Sequence, residues 1–307
     1  MLLQPILRYG SSENITKDLR MFKYIKLELE KQFTDFNQRA FKFNQSIVDE
    51  PLTSLDSLKK LVLRLPPEHV YASSSKVDVT ANLDTAHKEH KIKCSLEHAL
   101  NNLEDSDSFI MVRNPEVDHE YQGIFTDLQN DLEALAKKVG TEITDSTLYL
   151  FITSPNGTTP YHFDRYSTFL MQLTGTKEVY TWEPWNKEQI TDHELETFMA
   201  KTHDIAPSLK DGFLDQATMT KIAPGEGTHI PFLAPHWVQT CDEVSASVSI
   251  IFNTKETQKK SLSLRFNELI KRRLGVRLHP IHGNKTPSDS IKAFLFRILM
   301  KLANGRA

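Results

Sequence analysis

His162, Asp164 and His236 have the types and the spacing to hold a divalent metal. Side chains alternate between the two faces of a strand, so His162 and Asp164, separated by one residue, are expected on the same face. A histidine from a distant strand then completes a facial triad of two imidazoles and one carboxylate. That arrangement leaves three iron positions open for a chelating cosubstrate and dioxygen. The pair alone carries little weight, because 12 His and 40 Asp+Glu in 307 residues give about 1.6 His-x-acid matches by chance. His87-Lys88-Glu89 is such a match, and in its polar, Lys-rich surroundings it reads as solvated surface. What sets the 162/164 pair apart is its context. Lys177 shares one face of the run Thr176 to Trp182 with Val179 and Thr181. If that face points inward, the ammonium needs an anion, since an unpaired buried charge is heavily penalised, and a dicarboxylate supplies one. The turn Pro224-Gly225 then feeds a run ending at Ile230-Pro231, shortly before Pro235-His236-Trp237.

Positioning these residues falls to a series of short strands. After Gly140 the pattern becomes β-branched and aromatic, with runs at Ser146 to Thr153, Ser167 to Leu173, Thr176 to Trp182, Met219 to Ile222, Thr228 to Ile230 and Ser245 to Phe252. Gly and Pro turns between them predict an antiparallel double-sheet jelly roll over 141–254. Residues of about 185–215 break the rhythm with helical spacing and read as an insertion capping one end of the barrel. Residues 1–140 read as mainly helical. Helices are expected over Ile15 to Phe36 as a surface element, Leu52 to Leu65 with Ser54 as cap and Pro66-Pro67 as stop, Ser95 to Leu103, and Asp118 to Val139 ending at Gly140. Phe109 to Val112 reads as a buried strand, and Ser73 to His90 as polar and turn-like. In 255–307, Leu264 to Leu274 and Ile291 to Leu302 form two amphipathic helices.

Composition narrows the function classes. A 39% hydrophobic content supports a sizeable core, and a net charge of -3 argues against a protein that coats nucleic acid. The charge is polarised, with 13 Lys/Arg against 3 Asp/Glu from Lys255 onward. Cys94 and Cys241 are too few for a disulfide framework, so a cytoplasmic location is the expectation. The apolar start Met1 to Leu7 lacks the layout of a signal peptide, and no run approaches the roughly 20 apolar residues of a membrane span.

The ordered set Thr159-Pro160-Tyr161-His162-Phe163-Asp164, Gly175-Thr176-Lys177, Pro224-Gly225 to Ile230-Pro231 and His236-Trp237 resembles the JmjC/cupin-like Fe(II)/2-oxoglutarate oxygenases. That group includes the asparaginyl hydroxylase acting on hypoxia-inducible factor and bacterial cupin-like proteins. The likeness is close over about 146–253. It implies a double-stranded β-helix core with flanking helices, Fe(II) on His162, Asp164 and His236, and the distal carboxylate of 2-oxoglutarate on Lys177 and Thr159. Thr168 stands where a family member carries an amide beside the cosubstrate, and Ile251 also replaces a polar residue. The implied chemistry is hydroxylation of an unactivated carbon in a protein side chain or small molecule. Demethylation follows if a methylated nitrogen is presented, and a homodimer through the C-terminal helices is also implied. A Zn- or Mn-dependent cupin isomerase or hydrolase would explain the triad but gives Lys177 no task, and a non-catalytic binding module that kept the fold would not need motifs this complete. Arg165 and Tyr166 are candidates for the barrel mouth. His193, His203 and His229 read as ordinary polar residues of the insertion and rim, Cys241 as a small packed residue, and Trp182, Trp185 and Trp237 as core or rim packing, with Trp237 as a wall of the metal pocket.

Overall fold

A computed structural model describes residues 22–201, 209–210, 212–283 and 286–304. Its elements run β1 (Ile25–Lys26), α1 (Glu30–Asp35), β2 (Phe41–Gln45), α2 (Leu55–Arg64), β3 (Val70–Ser74), α3 (Leu83–Glu89), α4 (Leu96–Asn101), β4 (Ser108–Arg113) and α5 (Gln122–Lys138). They continue with β5 (Ile143–Thr153), β6 (Thr158–His162), β7 (Ser167–Thr174), β8 (Lys177–Thr181), α6 (Asp192–Ala200), β9 (Thr218–Ile222), β10 (Glu226–Ile230), β11 (His236–Thr240), β12 (Ser245–Thr254), α7 (Lys255–Leu274) and α8 (Pro287–Asn304). An eight-stranded sheet has the order β1-β2-β10-β7-β12-β5-β4-β3, and a four-stranded sheet the order β6-β11-β8-β9. Both are antiparallel. From β5 onward the chain passes repeatedly between the sheets, which is the double-stranded β-helix expected from the spacing of the strands.

The large sheet is buried on both faces because it separates two cores. Leu148, Leu150 and Ile152 of β5, with Phe169 and Met171 of β7, pack outward against Leu58, Leu61, Leu128 and Leu132 of the flanking helices. The opposite face meets the small sheet, where Phe151, Leu170, Val179, Ile222, Ile230 and Val238 fill the barrel. Residues 22–140 contribute strands as well as helices, since β1 to β4 all join the large sheet.

Several local expectations change. Of the helix expected over Ile15 to Phe36, residues 15–21 lie outside the described residues, and only Glu30–Asp35 is helical. The cause is Asp131 on α5, whose carboxylate accepts hydrogen bonds from the backbone N–H groups of Lys23, Tyr24 and Ile25 at 2.7, 2.7 and 2.9 Å. Three successive donors turned to one carboxylate hold this segment extended, and Phe22, Tyr24, Ile25 and Leu27 enter the core. The stretch Ser73 to His90 holds the end of β3 and all of α3, so His87 lies on a helix. Helix α7 begins nine residues before the expected Leu264, because Thr254 caps it directly at the end of β12. Its polar first turns hide the apolar spacing. Within the insertion, Thr191 and Glu194 form the capping box of α6. Among the described residues no helix is long and apolar enough to cross a membrane.

Candidate metal centre

His162 ends β6 and His236 opens β11, and the two are directly paired across the small sheet. Paired residues of an antiparallel ladder share a face, and the two rings accordingly stand 4.1 Å apart between centroids. Asp164 lies two residues past the end of β6, so strand alternation does not place it. A turn does, held by the hydrogen bond from Leu233 N–H to the Asp164 carbonyl at 3.2 Å. The ligand atoms of all three residues lie within 4.8 Å of one another, and among the described residues no other trio of His, Cys, Asp or Glu converges in this way.

Tautomers are set locally. His162 Nδ1 lies 2.7 Å from the Pro160 carbonyl and His236 Nδ1 3.0 Å from the Ala234 carbonyl. Each ring therefore donates from Nδ1 and presents an Nε2 lone pair, the orientation that metal-binding histidines adopt. Burial and the neighbouring His162 push the His236 pKa well below its ordinary value, keeping the ring neutral. His236 Nε2 and Asp164 Oδ2 are 3.7 Å apart, too far for a hydrogen bond and suited to a cation held between them. Two neutral imidazoles and a carboxylate fit Fe(II) in a facial triad.

Deeper between the sheets, β8 pairs Lys177 with Thr240 of β11 and turns its side chain inward. The ammonium is 4% exposed and donates to Ser247 Oγ at 2.8 Å. Its charge has no carboxylate partner among the described residues, and burial pushes its pKa down to about 7. Phe151 lies beneath it at 5.7 Å. Thr159 is three residues before His162, an odd spacing that would face it away. A bulge between His236 and Val238 sets Thr159 opposite Val238 and so returns it to the metal side. Thr168 is buried, pairs with Ile251, and its Oγ1 has no partner among the described residues. Ser247 and Tyr149 are wall residues that sequence reasoning missed. Their signal is register: Ser247 pairs with Phe151 and Ser249 with Tyr149, so both belong to the inward set of the large sheet.

The remaining candidates separate. Arg165 donates to the Phe198 carbonyl at 2.9 and 3.2 Å and stacks 3.8 Å over its ring, which ties it to α6. Tyr166 lies beside Tyr149 with ring centroids 6.0 Å apart. His193 accepts from the Lys271 ammonium at 2.7 Å in the packing of α6 on α7, and His203 lies outside the described residues. His229 is a core residue, 0% exposed, rather than part of the rim. Its Nδ1 donates to the Thr168 carbonyl at 2.9 Å, its Nε2 accepts from Asn37 N–H at 3.1 Å, and burial pushes its pKa down to about 3. Trp237 stacks on Tyr180 at 4.2 Å. It follows His236 directly, so alternation turns it to the outer face of the small sheet and away from the metal residues. Trp182 is buried and donates Nε1–H to the Phe213 carbonyl at 2.9 Å, whereas Trp185 and Cys241 are half-buried.

The family model described as a cupin-like domain matches residues 19–258. No curated protein matches the chain. Among solved structures, one of E. coli ycfD is similar at TM-score 0.50 and 18% identity, covering 90% of this chain and 69% of that one. A second, of E. coli YcfD described as a ribosomal oxygenase in complex with cobalt and 2-oxoglutarate, has a TM-score of 0.47 at 17% identity, covering 90% and 68%. At these identities the first likeness is one of fold.

Proposed function

The chain belongs to the cupin-like domain family, and from that premise we propose that it is an Fe(II)- and 2-oxoglutarate-dependent dioxygenase that hydroxylates a protein side chain or a small molecule. The observation that carries this reading is the pairing, inside one barrel, of the His162/Asp164/His236 trio with a buried lysine that lacks an anion among the described residues. His236 and Thr240, the cross-strand partner of Lys177, are four residues apart on β11, about 13 Å of backbone. The Lys177 stem covers part of that gap, and a five-carbon dicarboxylate spans the rest.

His162, Asp164 and His236 would hold the metal, and Lys177 with Thr159 would hold the distal carboxylate. Bound iron and 2-oxoglutarate supply the oxidising chemistry, in which one oxygen atom goes to a substrate carbon while 2-oxoglutarate is converted to succinate and carbon dioxide. The chain's own residues bind, orient and exclude water. Phe151, Leu170, Val179 and Val238 make the cavity apolar, which strengthens the Lys177–carboxylate attraction. The Nδ1 hydrogen bonds of His162 and His236 prevent ring rotation. With a methylated nitrogen at the same position the methyl group would be hydroxylated and leave as formaldehyde, giving a demethylated amine.

Helix α8 exposes Ile291, Phe294, Leu295, Ile298, Leu299 and Leu302 while Ala293 and Phe296 are buried. We assign that apolar face to a second copy of the chain, which presents the same self-complementary surface. Two free cysteines, Cys94 and Cys241, and an oxidisable ferrous centre fit the cytoplasm. The function is tested by anaerobic Fe(II) titration with and without 2-oxoglutarate, followed by air and a succinate assay. A new absorption band on adding 2-oxoglutarate is expected. If 2-oxoglutarate leaves the iron spectrum unchanged, the oxygenase reading falls and the Zn- or Mn-dependent cupin enzyme takes its place.

A further inference from the structure

One cationic group on the inner face of the large sheet has no part in the chemistry proposed above. Arg113 closes β4 and pairs with Tyr149 of β5, so its side chain leaves the sheet on the same inward face as Tyr149 and Phe151. Its guanidinium carbon lies 4.4 Å from the centroid of the Tyr71 ring and 5.8 Å from that of Tyr149. The backbone at Arg113 is fixed by His69, whose Nδ1 is 2.8 Å from the Arg113 carbonyl. Among the described residues no carboxylate or carbonyl accepts a hydrogen bond from this guanidinium, and its Nε is buried without a partner.

The position relative to the metal residues follows from two tyrosines. The Tyr149 ring, 5.8 Å from the guanidinium, stands 6.0 Å from the ring of Tyr166, which follows Asp164 by two residues. The two tyrosine rings therefore link Arg113 to the turn that carries Asp164. Arg113 is half-buried and its Nε is shut off from water, and a donor that loses water ordinarily gains an acceptor in return. Here the guanidinium lies over two tyrosine rings, which offer it no lone-pair acceptor in the fork and leave the fork for an outside acceptor. Such a fork matches a carboxylate with two parallel hydrogen bonds. Lys177 is a separate cation, since its ammonium lies at Ser247 and Phe151 whereas Arg113 lies at Tyr71 and Tyr149.

We propose that Arg113, clamped by Tyr71 and Tyr149, is a specificity-determining residue that binds a carboxylate of the substrate while the carbon to be oxidised lies at His162, Asp164 and His236. The proposal rests on the oxygenase reading for which molecule counts as substrate; the carboxylate site itself does not. The same chemistry is offered by an aspartate or glutamate side chain of a polypeptide and by a free small acid.

The test uses the full chain loaded with Mn(II) and 2-oxoglutarate under argon, with binding read by ligand-observed NMR. Capped aspartate and glutamate are compared with capped asparagine and glutamine, and butyrate with butyramide. At least one acid is expected to bind about ten- to a hundredfold more tightly than its amide, the range for a charge-assisted bidentate contact. Preference in the capped pairs identifies a polypeptide side chain, and preference confined to butyrate a small acid. Arg113→Gln is expected to bring the acid down to the affinity of the amide. Arg113→Lys, which keeps the charge without the fork, should retain only part of the preference. Equal binding of every acid and amide, no binding of any probe, or an acid preference that survives in Arg113→Gln overturns the proposal. If Arg113→Gln does not fold by circular dichroism, the wild-type comparison and Arg113→Lys decide: an undiminished preference in Arg113→Lys rejects the fork. Repeating the titration with Mn(II) alone separates the two readings. Should 2-oxoglutarate fail to bind, the oxygenase reading falls, while an Arg113-dependent acid preference still stands by itself.

Discussion

Replacing Lys177 by methionine should stabilise the ligand-free protein, by an amount that depends on pH in a calculable way. Burial lowers the pKa of Lys177 from 10.5 to about 7 in the folded chain, with the Ser247 hydroxyl as its one hydrogen-bond acceptor among the described residues. Between those values the unfolded chain binds a proton that the folded chain does not, so this group makes stability rise with pH across that window. Below pH 7 the penalty is complete, about 5 kcal/mol at roughly 1.4 kcal/mol for each factor of ten. At pH 9 the folded side chain is neutral and the penalty falls to about 2 kcal/mol. Lys177→Met removes it and loses a hydrogen bond worth about 1 kcal/mol. Urea denaturation of the metal-free proteins should therefore find Lys177→Met more stable by about 4 kcal/mol at pH 6 and about 1 kcal/mol at pH 9. In the Mn(II)-loaded protein, 2-oxoglutarate should raise the melting temperature of wild type and leave Lys177→Met unchanged. A stability gap equal at both pH values, or a wild type more stable at pH 6, would refute a desolvated, anion-seeking lysine.

Three further outcomes follow from the same contacts. His162→Ala and Asp164→Ala should each weaken Mn(II) binding by at least about a hundredfold in equilibrium dialysis, with the fold kept. His229→Phe preserves the stacked ring but strands Asn37 N–H and the Thr168 carbonyl, and should cost about 2–4 kcal/mol in urea denaturation. Because burial takes the His229 pKa from 6.5 to about 3, the unfolded chain alone takes up that proton as pH falls through this window. Wild-type stability should drop there by up to about 1.4 kcal/mol per pH unit from this group, and His229→Phe should lack that component. Phe294→Asp with Ile298→Asp, on the exposed face of α8, should shift sedimentation from dimer to monomer without lowering the melting temperature.

What the sequence determined alone was whatever depends on short-range patterning. The β-branched and aromatic runs at Ser146 to Thr153 and Ser245 to Phe252 specify strands, and the caps at Ser54 and Gly140 punctuate helices through their own backbone chemistry. The convergence of His162, Asp164 and His236 was legible because ordered motifs surround them, and the inward turn of Lys177 because strand alternation sets it with Val179 and Thr181. Tertiary structure decided everything that depends on a neighbour far along the chain. Asp131, more than a hundred residues away, turns Lys23 to Ile25 from helix to extended chain. A bulge against β11 reverses the side to which Thr159 faces. Asp164 is positioned by Leu233 after its strand has ended, and His229 becomes a core ring only through Asn37 and Thr168. Arg113 shows no signal in its own stretch of sequence. Its meaning comes from register, which sets it beside Tyr149 and between two aromatic rings. Local pattern specifies which face a side chain takes within an element, but which groups meet there is specified only when the sheets close.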